Sequence, residues 1–450
     1  MAFVEPFRIK IVEPLPNTTR DERLSLMLDT GYNPFQVPDR MVTLDLWTDS
    51  GASAMSNQQW AAMIESQEGS FVPDSYVKLK QTIQSLTGFP YILPVNQGRV
   101  AEHALFSILV KPGFTVFSNT FYSTTKTNAE LVNAKTTQLP CTFVDGGLFN
   151  GNIDCEKLEE ELARVELGNG MVVLTLTSNN QAGQPISMAN MKRASEICHD
   201  KGIRVFMDGC RFAENAYFIK IRDKTYANSS ARDIALEMFS YFDGFYLSAK
   251  KDGLCNIGGL IAVRDGDLFA TIRGQLNRTV GKWRLGGMAT RDLDAIAIGL
   301  LEGIEDSYLK YRIETLTQFG DLLKKAGVSI VEPVGSALYI NAAKCLPHIP
   351  THQYPAWALN CALFVEGGIR GAHGPNVLDV DDRNDRESHQ HFVKLCIPRR
   401  AYTLSHLLFI ADIFKQIIAK KERVSGMRIV GNGHYYKVKT APVEAVLINV

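Results

Sequence analysis

The chain has 450 residues, 45% hydrophobic and 21% charged, and its 48 Lys and Arg balance its 48 Asp and Glu. This is the composition of a globular protein with chain enough for two or three domains and a large core. Zero net charge gives no basic face for nucleic acid, and no run of ~18 apolar residues predicts a membrane span.

Residues 1–20 mix charges with Pro6, Pro14 and Pro16 and lack the apolar centre of a signal peptide. Eight cysteines are scattered without a Cys-x-x-Cys pair, so neither a disulfide framework nor a zinc site is expected. A cytoplasmic location fits both features.

In chain order, Tyr76, Leu79, Ile83 and Leu86 predict a helix over 75–90, stopped by Gly88. Ile92 to Val95 reads as a strand, and Ala101 to Leu105 as the start of a helix. Val172 to Leu176 is the next strand. A helix follows from Pro185–Asn190, with Met191, Ala194, Ile197 and Cys198 on one face and Gly202 as its stop. Ile203 to Met207, Gly244 to Leu247 and Leu260 to Val263 are further strands. Strands alternating with helices imply an α/β fold with a mainly parallel sheet, whose ligands gather at the carboxyl ends of the strands.

Residues 290–326 predict one long helical stretch closed by Gly327. The pattern then changes, with strands at Val328–Val331, Ala337–Asn341 and Phe392–Ile397 and a helix at Ser405–Lys420, which describes a smaller α+β domain. Residues 371–391 read as a polar loop, and His389 and His391 within it as solvated residues rather than a metal pair. The expected domains are an N-terminal arm with part of the small domain at 1–55, a large domain at 56–310 and a small C-terminal domain at 311–450.

Four motifs carry chemistry. Asn96-Gln97-Gly98-Arg99 joins a strand to a helix start, where backbone N–H groups, the helix dipole and Arg99 suit a phosphate. Asp208 ends one strand, with Arg211 close behind, and Asn179 lies past the end of another. Lys250-Lys251 follows the strand through Leu247 and Ser248, ahead of Gly258-Gly259. Pro398-Arg399-Arg400 offers a guanidinium fork for a carboxylate. Each has an ordinary reading as a turn or surface charge. Together, an acid and a lysine at strand ends are what pyridoxal phosphate (PLP) chemistry requires: the lysine bonds the aldehyde, and the acid keeps a proton on the pyridine nitrogen. Lys250 is expected to help lower the proton affinity of Lys251.

Longer words tie these motifs to a family. They are Glu5-Pro-Phe-Arg-Ile-Lys10, Arg20-Asp-Glu-Arg23, Thr48-Asp-Ser-Gly51, Gln97-Gly-Arg99, Ala182-Gly-Gln-Pro185, Ser187-Met-Ala-Asn190, Glu214-Asn-Ala-Tyr-Phe-Ile-Lys220, Lys250-Lys-Asp252, Asn256-Ile-Gly-Gly259 and Ile397-Pro-Arg-Arg400. Across most of its length the chain resembles the β-eliminating lyases, tyrosine phenol-lyase and tryptophanase, and leans toward the tyrosine enzyme.

The resemblance implies fold type I (the aspartate aminotransferase fold), PLP as cofactor, and a homotetramer with active sites at dimer interfaces. It implies Lys251, Asp208 and Arg211 as catalytic residues. Gln97, Gly98, Arg99, Ser248 and Lys250 would surround the phosphate, Tyr122 the ring face, and Asn179 and Arg211 the phenolic oxygen. Thr48, Ser50, Ser123 and Arg399 would meet the substrate, and Gly51, Glu68 and Asn256 a potassium ion.

The departures concern the other half of the site. The tyrosine that protonates the leaving aryl carbon falls on Ser70 within Glu68-Gly-Ser-Phe-Val-Pro-Asp-Ser75; Phe71 has no proton to give and Tyr76 is out of register. The arginine used around phenol falls near Gly374, no histidine stands in Val334-Gly-Ser-Ala-Leu338, and Lys437-Val-Lys-Thr-Ala441 replaces a C-terminal pocket-closing pair. The expectation is a lyase that removes the α-proton of an amino acid and eliminates or replaces a β-substituent, with tyrosine and tryptophan not its substrates. An aminotransferase or aldolase-like carbon–carbon lyase, and a non-catalytic amino-acid-binding relative, are the alternatives. His373 is a candidate for the missing acid, against a plain loop residue without such a role.

Overall fold

The computed structural model describes residues 5–69, 71–144, 146–166, 168–373, 392–429 and 443–446. They form two compact units, Ser50–Ile313 and a second made of Met1–Asp49 with Glu314–Val450.

The first unit is built on a seven-stranded sheet: β1 (Tyr91–Val95), β2 (Thr115–Ser118), β3 (Lys135–Gln138), β4 (Gly170–Thr175), β5 (Arg204–Asp208), β6 (Gly244–Ser248) and β7 (Gly259–Val263). Their spatial order is β1-β7-β6-β5-β4-β2-β3, and β7 alone runs antiparallel to its neighbours. β4, β6 and β7 are buried along their whole length. This is why Val172-Val-Leu174 and Leu260-Ile-Ala-Val263 read as unbroken apolar runs rather than alternating ones. The helix Asp74–Thr87 ends where Gly88 takes a left-handed conformation, and Ser187 caps the helix Met188–Asp200 with its side chain.

One expectation is corrected here. The stretch 290–326 is two helices, Thr290–Gly303 and Asp306–Lys325. Gly299 and Gly303 bring the first of them against the backbone of Asp252 and Gly253, where a Cβ would collide, and Asp306 starts a new helix while binding Lys220 and the Ala231 N–H.

The second unit holds a three-stranded antiparallel sheet of Ala372–His373, Phe392–Leu395 and Leu338–Asn341. Leu44–Asp45 pairs in parallel with Ile369–Arg370. Arg23 donates to the Val365 and Glu366 carbonyls, and Arg370 bridges Asp39 and Asp45 at 2.7 and 2.6 Å, so the chain's first residues are stitched to its last third. Val328–Val331 is not a strand. It makes a single bridge, Ile330 to Ile340, before Pro333 breaks the run. His373 sits on a strand rather than in a loop; the rest of that predicted loop, 374–391 with His389 and His391, lies outside the described residues. No helix among the described residues is long and apolar enough to cross a membrane.

Candidate active site

Two neighbouring strands end level with one another, and the third, β6, runs two residues further to Ser248. Thr175 of β4 pairs with Asp208 of β5, and Asp208 with Tyr246 of β6. Beyond β6 the chain folds into a tight turn. The Lys251 N–H reaches the Ser248 carbonyl at 3.4 Å, and the Leu254 N–H the Lys251 carbonyl at 2.9 Å. The Gly258 N–H then donates to the Asn96 carbonyl at 2.9 Å, which pins the turn to the end of β1.

The helix α1 (Gly98–Leu109) starts at the same edge. A Cβ on Gly98 would lie 2.8 Å from Ser248 Cβ, and one on Gly259 2.6 Å from Gly98 N. Glycine is therefore what allows the helix N-terminus to press on Ser248. Burial, and after it the charges of Lys251 and Arg99, push the Lys250 ammonium below its ordinary range, so three cations gather around this helix start. Oriented N–H groups with a surplus of cations make an anion cradle.

Asp208 is buried and accepts from the Cys210 N–H at 3.2 Å, while the Ser248 N–H lies 3.2 Å from Cys210 Sγ. Cys210 thus links the acid to the end of β6. Burial foremost, then Asp208, pushes its thiol up to about 12, and Lys251 opposes them, which places Asp208 and Lys251 around one sulfur. Arg211 precedes the helix Phe212–Arg222, with its N–H on the Leu176 carbonyl at 3.1 Å and its side chain buried. Asn179 is buried past the end of β4. Lys251 Nζ lies 6.0 Å from the centroid of the Tyr122 ring, and Tyr122 stands just before the helix α2 (Ser123–Leu131). Ser123 is exposed.

These residues fit PLP. The cradle suits a phosphate, the buried carboxylate a protonated ring nitrogen, Lys251 an aldehyde and Tyr122 a ring face.

Gly51 lies against the turn after β6, its N–H donating to the Lys250 carbonyl at 2.8 Å. A Cβ on Gly51 would be 3.4 Å from the Asn256 carbonyl, so these two are neighbours. Glu68 is exposed on a cavity of about 400 Å³ whose lining includes neither. In the second unit Arg399 is buried with Nη1 on Asp49 at 2.9 Å, next in sequence to half-buried Thr48. Ser50 belongs to the first unit.

The candidates for a replacement acid fare poorly. Tyr76 is buried and donates to the Ile92 carbonyl at 3.2 Å, and burial raises its phenol to about 12. Phe71 is exposed. His373 is buried between Phe35 and Trp357, with ring centroids 4.8 and 4.7 Å away, and burial pushes it down to about 3. A histidine held neutral in this way has no imidazolium proton to deliver near neutral pH. Ser70, Gly374 and Lys437–Ala441 lie outside the described residues.

Sequence reading missed Cys210 and a buried group formed by Glu102, Thr125, Asn128 and Tyr246. The one available signal was Glu102, an acid on the apolar face of a helix.

The same architecture recurs in solved structures. A serine palmitoyltransferase of Sphingomonas wittichii superposes with a TM-score of 0.63 at 12% identity, covering 90% of this chain and 97% of that one. Bna3p of Saccharomyces cerevisiae gives 0.64 at 12%, covering 91% and 100%. The fold is that of the fold type I PLP enzymes. At the sequence level, the β-eliminating lyase family model matches residues 45–413. A tryptophanase of Salinibacter ruber is 41% identical over 95% of this chain and 92% of its own. A tyrosine phenol-lyase of Symbiobacterium is 37% identical over 99% of both chains. The chain belongs to the β-eliminating lyases, a family of PLP-dependent enzymes.

Proposed function

We propose that the protein is a PLP-dependent lyase that eliminates or replaces an easily departing β-substituent of an α-amino acid, and that tyrosine and tryptophan are not its substrates. When bound, PLP supplies an electron sink conjugated to the substrate's α-carbon.

The chain's own residues supply the rest. Gln97, Gly98, Arg99, Ser248 and Lys250 bind the phosphate. Asp208 holds a proton on the ring nitrogen, Asn179 and Arg211 orient the phenolic oxygen, and Tyr122 covers the ring. Lys251 Nζ would hold the aldehyde, and its freed amine would be the base placed to take the substrate's α-proton. Arg399, with Thr48 and Ser50, would orient the substrate carboxylate, and Ser123, next to Tyr122, would meet the substrate.

The observation that carries this reading is an asymmetry. Asp208, Lys251 and the anion cradle share one sheet edge. Against that, the Tyr76 hydroxyl is committed to a backbone carbonyl and His373 is held neutral in an aromatic sandwich. An aryl carbanion is a poor leaving group, and a positioned acid contributes typically ~10²–10⁴-fold to its departure. A thiolate, phosphate or carboxylate leaves without one.

A cytoplasmic homotetramer with sites at dimer interfaces, and a potassium ion held by Gly51, Asn256 and Glu68, belong to the same proposal. The Gly51–Asn256 approach supports the ion.

The test is pyruvate formation by the PLP-loaded protein with S-substituted cysteines and O-acylserines, set against tyrosine and tryptophan. Turnover of the first group alone is expected. Release of phenol or indole at a comparable rate, or no pyruvate from any of them, would overturn the proposal.

A further inference from the structure

Beneath the Asp208 edge lies a second carboxyl that none of the assigned roles uses. Glu102 points from α1 into the core and is 2% exposed; Asp208 is 5% exposed. Thr125 Oγ1 donates to Glu102 Oε1, as does Tyr246 Oη at 3.1 Å, while Asn128 Nδ2 donates to Oε2 at 3.2 Å. On the outer side of α1, His103 Nδ1 lies 3.0 Å from Asn128 Oδ1. Tyr246 is the cross-strand partner of Asp208, and partners on adjacent strands present their side chains to the same face. Both carboxyls therefore lie on the α1 side of the sheet, joined through one tyrosine.

On the helix that supplies Thr125 and Asn128 the one cation, Lys126, is paired with Glu130 at 3.9 Å. Burial foremost, and with it the charge of Asp208, raises Glu102 to about 7; the hydroxyls of Thr124, Thr125 and Tyr246 oppose them. Tyr246 also feels Cys210. β7, which packs on α1, carries only Gly259-Leu-Ile-Ala-Val263. The helix Gly266–Thr279 packs there too, but its Arg273 is spent over Phe269 and Trp283. Arg99, Lys250 and Lys251 belong to the phosphate edge.

Two buried carboxyls without a cation on Glu102 are costly to ionise together. Yet the partners of Glu102 are arranged for an ionised acid, because Asn128 Nδ2 can only donate and both hydroxyls are free to. A positive charge delivered to Asp208 would settle that conflict.

We propose that Glu102 is a positioning residue that carries a proton in the empty protein and releases it to solvent when the cofactor's protonated ring nitrogen seats against Asp208. The ionised Glu102 then locks Tyr246 and Thr125 as donors beneath the ring, and fixes the strand end that bears Asp208. This rests on Asp208 being the ring-nitrogen partner.

The test counts protons. Apoprotein and PLP are mixed in weakly buffered solution at a pH of about 7, with proton release and cofactor absorbance followed together, for wild type and Glu102→Gln. Wild type is expected to release more, by up to about half a proton per chain, because a carboxyl raised to about 7 is half protonated at that pH. It should also show a pH-dependent step in the absorbance of the loaded cofactor that Glu102→Gln lacks. Equal release at equal loading would overturn the inference alone, since a merely structural Glu102 alters stability but not the count.

Should Glu102→Gln fail to fold or load, Tyr246→Phe takes its place. Losing one donor should move the release curve to higher pH, and an unmoved curve would overturn the inference. Wild type that loads PLP elsewhere than Lys251 would instead bring down the functional reading, and this inference with it.

Discussion

At the scale of single residues, environment decides what each titratable group can do. Asp208 is buried at a strand end with a backbone N–H on one oxygen and a sulfur beside it. Asp208→Asn keeps that shape and removes the charge. It should leave PLP bound while lowering kcat/KM for pyruvate formation by about 10²-fold or more; a change within experimental error would contradict the role.

His373 shows the opposite use of burial. Its folded value, about 3, lies below the ordinary 6.5, so the neutral ring is a stabilising choice above 6.5 that is lost as pH falls toward 3. Replacing His373 with Phe removes that titration. The acid limb of a denaturation curve should become shallower, and turnover near neutral pH should not depend on a histidine proton at this position. A steep, unchanged acid limb would show that His373 is not the group responsible.

At the scale of elements, close approach and buried pairing hold the site's edge together. Gly98→Ala would put a Cβ 2.8 Å from Ser248 Cβ and drive α1 off the end of β6. PLP affinity should weaken at least tenfold, or about 1.4 kcal/mol, read by cofactor titration; unaltered affinity would mean the cradle is not the phosphate site.

Arg312 and Glu214, 3% and 1% exposed, are joined at 3.0 Å. Asp252 accepts from the Ala213 and Glu214 N–H groups, which anchors the helix Phe212–Arg222 behind Asp208 and ties it to the Lys251 turn. Removing one member of a buried pair typically costs about 3–5 kcal/mol. Arg312→Met should lose that much in urea unfolding of the apoprotein, and Arg312→Met with Glu214→Leu should lose less. A double variant as weak as the single one would put the cost in packing rather than charge.

At the scale of the whole molecule, what could be read from the sequence follows the range of the forces involved. The strands around Asp208 and Ser248 were legible because a strand buried on both faces needs an unbroken apolar run, and the phosphate turn was legible because only Gly98 permits that approach. The helix break at Ile304-Glu305 and the burial of His373 were not. Both involve distant partners, Lys220 and the Ala231 N–H on Asp306 in one case and Phe35 with Trp357 in the other. The pair Glu102 and Asp208 was hidden for the same reason, since nothing local says that a helix acid will face a strand acid through a tyrosine.

The central claim is a covalent bond between PLP and one amine. Borohydride reduction of the loaded protein, followed by peptide mapping, tests it most directly. A pyridoxyl tag on Lys251, lost with its absorbance in Lys251→Ala, is the predicted result. A tag on Lys250 or any other lysine, or protein that stays colourless with excess PLP, would contradict it.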